Sequence, residues 1–372
     1  MYIGRETYMK KALIFTLQYS DNYGTVLQAY ALQKALRQLG MSACIAPIMP
    51  KRPNVFRRFI GRTVNDTIRK IRQEYWHCRR GRFFKGFRSD WFDYGGLGRI
   101  WFSDVSRTDF SGFDALVYGS DNIWGAANRV DPVDAEVFFA LNVDHPHKIA
   151  YAPSSGGNLM LDPLKDEICR LVKLGGFHHV SCREETSVKA FHEHGINATK
   201  VPDPTLLLDE SDWSGVEESC GAEGFVFGYD MGHENQKGIR GICRELAHGE
   251  GDIRIVYPND WRRNEKEGSP MTPSQWVWSI HHARSVVANS FHGIVFAIIF
   301  RRPFLYVPII GIKERYNGRA KEVLQLCGLE SREYRLGIDA VSQMNAQIDW
   351  WDVENRISRF RTEGFDFLKK AI

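Results

Sequence analysis

Residues 284–305 read Arg-Ser-Val-Val-Ala-Asn-Ser-Phe-His-Gly-Ile-Val-Phe-Ala-Ile-Ile-Phe-Arg-Arg-Pro-Phe-Leu. A short β-branched run, Ser285–Ala288, ends in the polar pair Asn289-Ser290. An apolar helical run, Ile294–Phe300, follows at once, and Pro303 closes it. That order predicts a strand, a tight turn and a buried helix. His292 falls where the helix begins. The first turn of a helix leaves N–H groups unpaired and carries partial positive charge, so it attracts anions. An imidazole there can touch a phosphate or carboxylate and also move a proton near neutral pH. The position equally suits a histidine that merely caps a helix, and the choice rests on the rest of the chain.

The same strand–polar turn–helix order recurs outward from this stretch. Ala12–Leu17 reads as a strand and Gln18–Thr25 as a polar loop. A long amphipathic helix follows from about Val26 to Leu39, with Ala29, Leu32, Ala35, Leu36 and Leu39 on one face and Gly40 at its end. Ala43–Ile48 is the next strand. A β-α-β opening implies parallel strands with a right-handed crossover, and ligands then bind beyond the C-terminal strand ends. Strands at Phe113–Tyr118, Lys148–Ala152 and His179–Cys182 each run straight into polar residues. A composition break at Ser211–Gly224 separates a second set: strand Phe225–Tyr229, helix Asn235–Ala247, strand Ile253–Tyr257, helix Pro273–His281 and then the His292 unit. The tail, Asp349–Lys370, has the spacing of an amphipathic helix that packs on the body. The expectation is an α/β chain of two successive doubly wound domains with a cleft between them. The N-terminal domain covers 1–212 with a basic insertion at 51–110, the C-terminal domain covers 213–345, and 346–372 forms the closing helix.

The chain has 372 residues, enough for two cores. No apolar run approaches the roughly 18–20 residues of a membrane span, and Met1–Lys10 is polar, so a cytoplasmic protein is expected. The seven cysteines are scattered with no C-x-x-C pair, which argues against a disulfide framework and a zinc site. The histidine pairs, among them His281/His282, read mostly as surface residues, and no metal is expected. The net charge of +4 is uneven: between Lys51 and Arg88 stand thirteen Lys/Arg against two acids, interleaved with aromatics such as Tyr75, Trp76, Phe83, Phe84 and Phe87. Such a segment suits either a helical insertion packed through its aromatics, or peripheral attraction to an anionic membrane surface or lipid-linked diphosphate. No recognition motif for nucleic acid accompanies it. There is no G-x-G-x-x-G after the first strand, no G-x-x-x-x-G-K-[ST] and no G-x-S-x-G. Histidine, carboxylates and arginines are left to carry the chemistry, and Asn22, Asp121, Arg183, His292 and Arg319 all fall at expected strand ends.

Asp21-Asn22-Tyr23-Gly24, followed by Leu27-Gln28-Ala29-Tyr30, resembles the opening of the polysaccharide pyruvyl transferases. Gly119-Ser120-Asp121-Asn122-Ile123-Trp124 resembles their GSDxxW motif. Ser181-Cys182-Arg183-Glu184 and Pro202-Asp203-Pro204-Thr205-Leu206-Leu207 resemble their S-x-RE and DPTLL segments, and Asn289-Ser290-Phe291-His292-Gly293 resembles NSFHG. The matches appear in order from about Leu13 to Leu329. The resemblance implies two Rossmann-like domains facing across a cleft, like those of GT-B glycosyltransferases, and transfer of an enolpyruvyl unit from phosphoenolpyruvate onto a sugar of an envelope polysaccharide or its lipid-linked precursor, usually closing a ketal. No other cofactor is implied.

On that resemblance His292 is the general acid and Asp121 accepts a proton from the attacking hydroxyl. Arg183 and Arg319 bind the anionic donor, as arginine forks suit carboxylate and phosphate. Asn22, Gly24 and Ser290 shape the substrate site. The chain departs at one point: some better-characterised members carry Arg-Leu-His where Ser290-Phe291-His292 stands, so the missing charge must come from Arg319, Arg315 or Arg183. Two rivals share the frame. One is a glycosyltransferase using a nucleotide sugar, with Glu314 or Glu322 on the ribose; the other is a non-catalytic protein of polysaccharide assembly.

Overall fold

The alternation of apolar runs and polar turns builds two parallel sheets in this computed structural model, which describes residues 9–50, 64–125, 132–141, 143–232, 238–248, 252–260, 262–263, 266 and 268–372. The strands are β1 (Lys11–Phe15), β2 (Ser42–Ile45), β3 (Ile48–Met49), β4 (Ile100–Trp101), β5 (Ala115–Tyr118), β6 (Lys148–Ala150), β7 (His179–Cys182), β8 (Ala198–Lys200), β9 (Val226–Tyr229), β10 (Ile253–Val256), β11 (Ser285–Ala288) and β12 (Phe304–Tyr306). Among the described residues the first sheet runs β2-β1-β5-β6-β7-β8 and the second β10-β9-β11-β12, with β3 and β4 paired apart. Every pairing is parallel. Side chains alternate across a strand. Along β1, Ala12 and Ile14 therefore enter one core while Leu13 and Phe15 enter the other. A strand buried on both faces reads as the continuous apolar run seen in the sequence.

The helices are α1 (Tyr23–Gln38), α2 (Val64–Trp91), α3 (Pro132–Phe138), α4 (Lys165–Gly175), α5 (Glu185–Glu193), α6 (Glu210–Ser214), α7 (Ile239–Leu246), α8 (Pro273–His281), α9 (Phe291–Ile299), α10 (Asn317–Cys327), α11 (Ala340–Asn345) and α12 (Trp350–Ala371). α9 is apolar almost throughout, and His292–Ile299 are all buried. It is the central helix of the second domain, as the opening stretch predicts. α8 is set by a capping box of Thr272 and Gln275 with Pro273 in its first turn. α12 buries Val353, Ile357 and Leu368, and Gly364 lies so near Pro202 that a Cβ would meet its Cγ at 2.7 Å. The last helix thus closes back onto the first domain.

Two expectations are revised, and one left open is decided. α1 begins at Tyr23 rather than Val26, because the Asn22 side chain accepts from the Thr25 N–H (3.4 Å) and caps the helix earlier. The described part of the basic segment is a helical insertion packed through its aromatics, one of the two readings its pattern suits: Phe84 and Phe87 of α2 are buried, and Arg88 Nη2 donates to Asp21 Oδ1 (2.9 Å). Residues 51–63 of that segment lie outside the described residues. His281 and His282 are half-buried rather than on the surface; both contact Glu217, at 2.6 and 3.1 Å, and tie α8 to the segment that joins the domains.

The seam between the domains is largely aromatic. Tyr23 stacks on Trp276 (5.4 Å between centroids), Trp276 meets Phe296 edge-on (5.3 Å), and Phe296 meets Trp213 (4.7 Å). Rings of this size each stabilise by about 1.5–3 kcal/mol on burial, so the seam belongs to a core rather than a sliding surface. The strand order of each sheet reverses once, between β1 and β5 and between β9 and β11, and crevices form at such switch points beyond the carboxyl ends of the strands. Two Rossmann-like domains face each other there in a GT-B-like arrangement. No described helix is long and apolar enough to cross a membrane.

Candidate active site

The turn after β5 stands at the switch point of the first sheet. A Cβ on Gly119, at φ 138°, would lie 1.9 Å from the Tyr151 carbonyl oxygen, so the chain passes there only without a side chain. Asp121 follows with φ 66°, a left-handed conformation that aspartate tolerates better than most residues. Its carbonyl accepts from the N–H groups of Ile123 and Ser154, both at 2.8 Å, which locks the turn. The carboxylate is thereby aimed at α1, where it accepts from the Thr25 hydroxyl at 2.5 Å.

Arg183 leaves the end of β7 and is buried. Its Nη1 donates to Asp203 Oδ2, its Nε to Glu184 Oε1 (3.3 Å), and its Nη2 stands 3.7 Å from Asp121 Oδ1. The guanidinium also lies over the Phe291 ring of the second domain at 5.1 Å. Asp203 is 2 % exposed, and its other oxygen accepts from the Thr205 N–H (3.0 Å) and hydroxyl (2.8 Å). Burial alone would raise its pKa, but the adjacent imidazole of His292 and guanidinium of Arg183 hold it well below the usual carboxylate range.

His292 comes from the first turn of α9. Its Nε2 is 3.7 Å from Asp203 Oδ2, and its ring rests on Gly24 so closely that a Cβ there would lie 2.0 Å from Nδ1. The histidine of one domain and the arginine of the other therefore meet at a shared carboxylate. Arg319, in the first turn of α10, completes the group. Burial and the neighbouring Arg183 push its pKa down, while Glu184 and Asp121 oppose the shift. Burial raises the Glu184 carboxyl, against the charge of Arg183 and the hydrogen bond from Ser154.

Arg183, Glu184, Asp203, Phe291 and Arg319 line one small cavity. Among the described residues, Nε2 of His292, Nη2 of Arg183, Oε2 of Glu184 and Nε of Arg319 are buried without a hydrogen-bond partner. Buried polar atoms in folded proteins are nearly always paired, so several orphans in one place mark a site built for a ligand. Three of the four carry N–H or ring nitrogen, the chemistry of an anion site.

The remaining sequence candidates fall as follows. Gly24 is the seat of the imidazole. The Asn22 side chain is used in capping α1. Ser290 occupies the N-cap position of α9, is half-buried, and makes no side-chain cap bond. Arg315 is exposed, with its Nη2 3.4 Å from the Tyr316 hydroxyl. Glu322 is held by Lys200 (2.9 Å) and the Glu185 N–H (3.1 Å), and Glu314 is exposed. Sequence reasoning did not assign a site role to Asp203, Glu184 or Thr25. Asp203 and Glu184 lie in motif segments already singled out, but nothing in their spacing shows that the ends of β7 and β8 adjoin α9. At the matching switch point of the second sheet, Asn289 accepts from the Met231 N–H (2.8 Å) and donates to buried Asp230 (3.2 Å).

Solved structures with a similar chain path include the glycosyltransferase of kitacinnamycin (11% identity, TM-score 0.46, covering 98% of this chain and 99% of that one). Another is a protein of Listeria monocytogenes described as a UDP-N-acetylglucosamine 2-epimerase (8% identity, TM-score 0.45, covering 95% and 91%). A third is an Anabaena protein in complex with UDP and glucose (12% identity, TM-score 0.43, covering 95% and 100%). No curated protein matches the chain. The profile of one enzyme family matches residues 22–309, from the cap of α1 past the end of β12 and therefore across both domains. The chain belongs to the polysaccharide pyruvyl transferase family.

Proposed function

We propose that the protein transfers a pyruvyl group from phosphoenolpyruvate to a sugar of an envelope polysaccharide or of its lipid-linked precursor, and closes it as a ketal. The observation that carries this reading is the trio of unpartnered nitrogens on His292, Arg183 and Arg319 at the meeting of the two switch points. Phosphoenolpyruvate brings a phosphate and a carboxylate on three carbons, and guanidinium groups are the natural partners of both. Arg183 is largely engaged by Asp203, Glu184 and Asp121. In this reading it fixes the geometry and offers its unpartnered Nη2, while Arg319 supplies the less compensated charge that the serine at position 290 does not. His292, as imidazolium, gives its proton to the methylene carbon, and positive charge develops at the carbon bearing the phosphate. Two sugar hydroxyls add to that carbon in turn as the phosphate leaves. One hydroxyl proton restores the acid through Asp121 or solvent and the other departs with phosphate. Donor and diol thus become ketal and inorganic phosphate.

The test is phosphate release from phosphoenolpyruvate by the purified protein, with the membrane-lipid extract of producing cells as acceptor source. His292→Ala should lose about 10²–10⁴ in turnover, the usual worth of a positioned proton donor, while its far-UV spectrum stays that of the parent. Full activity in that variant, or thermal stabilisation by UDP- or GDP-sugars but not by phosphoenolpyruvate, refutes the reading.

A further inference from the structure

A second cavity, of about 350 Å³, lies between α2, the start of α1 and the chain after β10. Its walls combine two chemistries. Tyr75, Trp76 and Phe83 supply aromatic surface, and Arg72 and Arg79 supply charge. Both arginines are exposed, and among the described residues neither has an ion-pair or hydrogen-bond partner. They are seven residues apart on one helix, so their Cα atoms sit two turns and about 10 Å apart on the same face. The wall is held in place by Arg80, which donates to the carbonyls of Pro258 and Asp21 and lies over the rings of Trp76 (5.2 Å) and Phe84 (5.3 Å). One arginine thereby ties α2 to both domains. Along α2 the apolar wall continues from Tyr75 and Ile71 out to Ile68: Ile68, Ile71 and Tyr75 are 47%, 49% and 68% exposed, at the i, i+3, i+7 spacing of one helix face.

Uncompensated cations beside an aromatic wall, with an apolar track leading away, complement an amphiphile whose anionic head joins an apolar chain. The cavity is also next to the reaction site. Tyr23 lines it, and the following residue, Gly24, bears the His292 ring. The geometry points to this cavity as the subsite for the carrier of the acceptor: a diphosphate held by Arg72 and Arg79, its apolar chain laid along Ile71 and Ile68, and its glycan directed past the first turn of α1. The location of the acceptor rests on the proposed pyruvyl transfer; the affinity for an apolar-chain diphosphate does not.

The experiment titrates the full-length protein with farnesyl diphosphate and reads tryptophan fluorescence, with Trp76→Phe assigning the signal. Inorganic diphosphate, farnesol and UDP are the comparison probes. Farnesyl diphosphate should quench Trp76, and each half-molecule should bind at least about tenfold more weakly, since each keeps only one of the two interactions. The double variant Arg72→Ser/Arg79→Ser should weaken farnesyl diphosphate about tenfold or more. Its melting temperature should be that of the parent, because these side chains hold nothing in the fold. His292→Ala should bind like the parent. Unchanged binding in the double variant overturns the proposal. So does equal binding of inorganic diphosphate, which would make this a plain anion site, and so does tighter binding of UDP through the same arginines. Binding as expected in a protein that never releases phosphate from phosphoenolpyruvate would refute the pyruvyl-transfer reading and leave this subsite standing.

Discussion

Gly24→Ala separates the position of the imidazole from the stability of the fold. Gly24 lies within α1, one residue after its start, and the added Cβ would sit 2.0 Å from Nδ1 of His292. Ordinary contact needs a retreat of more than about 1 Å, and a displacement of that size at a reacting group costs on the order of 10²-fold in rate. For the helix itself the change is favourable, since alanine exceeds glycine by about 0.8–1.0 kcal/mol in helix propensity. The backbone of α1 is pinned by its Asn22 cap and by the hydrogen bond from the Tyr23 hydroxyl to the Met271 carbonyl (2.9 Å). The ring is therefore the part that moves. It swings off Asp203, from which Nε2 is already 3.7 Å distant. Turnover, followed as phosphate release, should fall about 100-fold, with a melting temperature within a few degrees of the parent. Parental turnover in Gly24→Ala would show that the imidazole does not work from its seat on Gly24, and the assignment of His292 as acid would fail with it.

Asp203→Asn removes the carboxylate shared by Arg183 and His292. Stripping one partner from a buried ion pair costs about 3–5 kcal/mol, because the other charge stays buried. The pKa of Asp203 is depressed in the folded protein, so its contribution is fully present above the ordinary value of 3.8 and is lost only as pH falls below it. The stability gap between parent and variant in urea melts should be equal at pH 7 and pH 5 and narrow only below about pH 4; a gap already shrinking between pH 7 and 5 would count against the assignment. Glu184→Gln should act the other way. A buried carboxyl with a raised pKa costs stability once ionised, so the variant should compare better with the parent at pH 8 than at pH 4, and melts at the two pH values check the sign. Phe84→Ala should cost about 3–5 kcal/mol in urea, because the ring is fully buried where α2 meets the body. A loss below about 1 kcal/mol would mean that α2 is not docked as described.

Local physics made much of this protein legible in one dimension. The β-branched run Ser285–Ala288 and the apolar run after it become β11 and α9, because a parallel strand and a helix covering it are each buried over most of their surface. Gly119 and Gly40 mark turns because positive φ favours glycine. Arg183, Asp121 and His292 stand at strand ends, where polar residues directly after apolar runs already indicate a crevice. Tertiary structure alone decided which strand ends adjoin. Asp203 is twenty residues beyond Arg183 and eighty-nine before His292 in the chain. Only the neighbouring positions of β7 and β8, with α9 laid across the seam, put one of its oxygens, Oδ2, between them. The fate of α2 was undecided for the same reason. Its charge and aromatics are plain in the sequence, but whether Phe84 and Arg80 face water or the two domains depends on a surface built by residues far off on both sides, Asp21 and Tyr23 before α2 and Pro258 well after it. Periodicity and turn chemistry act between neighbours in sequence, whereas pairing of buried charge and ring contact act between neighbours in space.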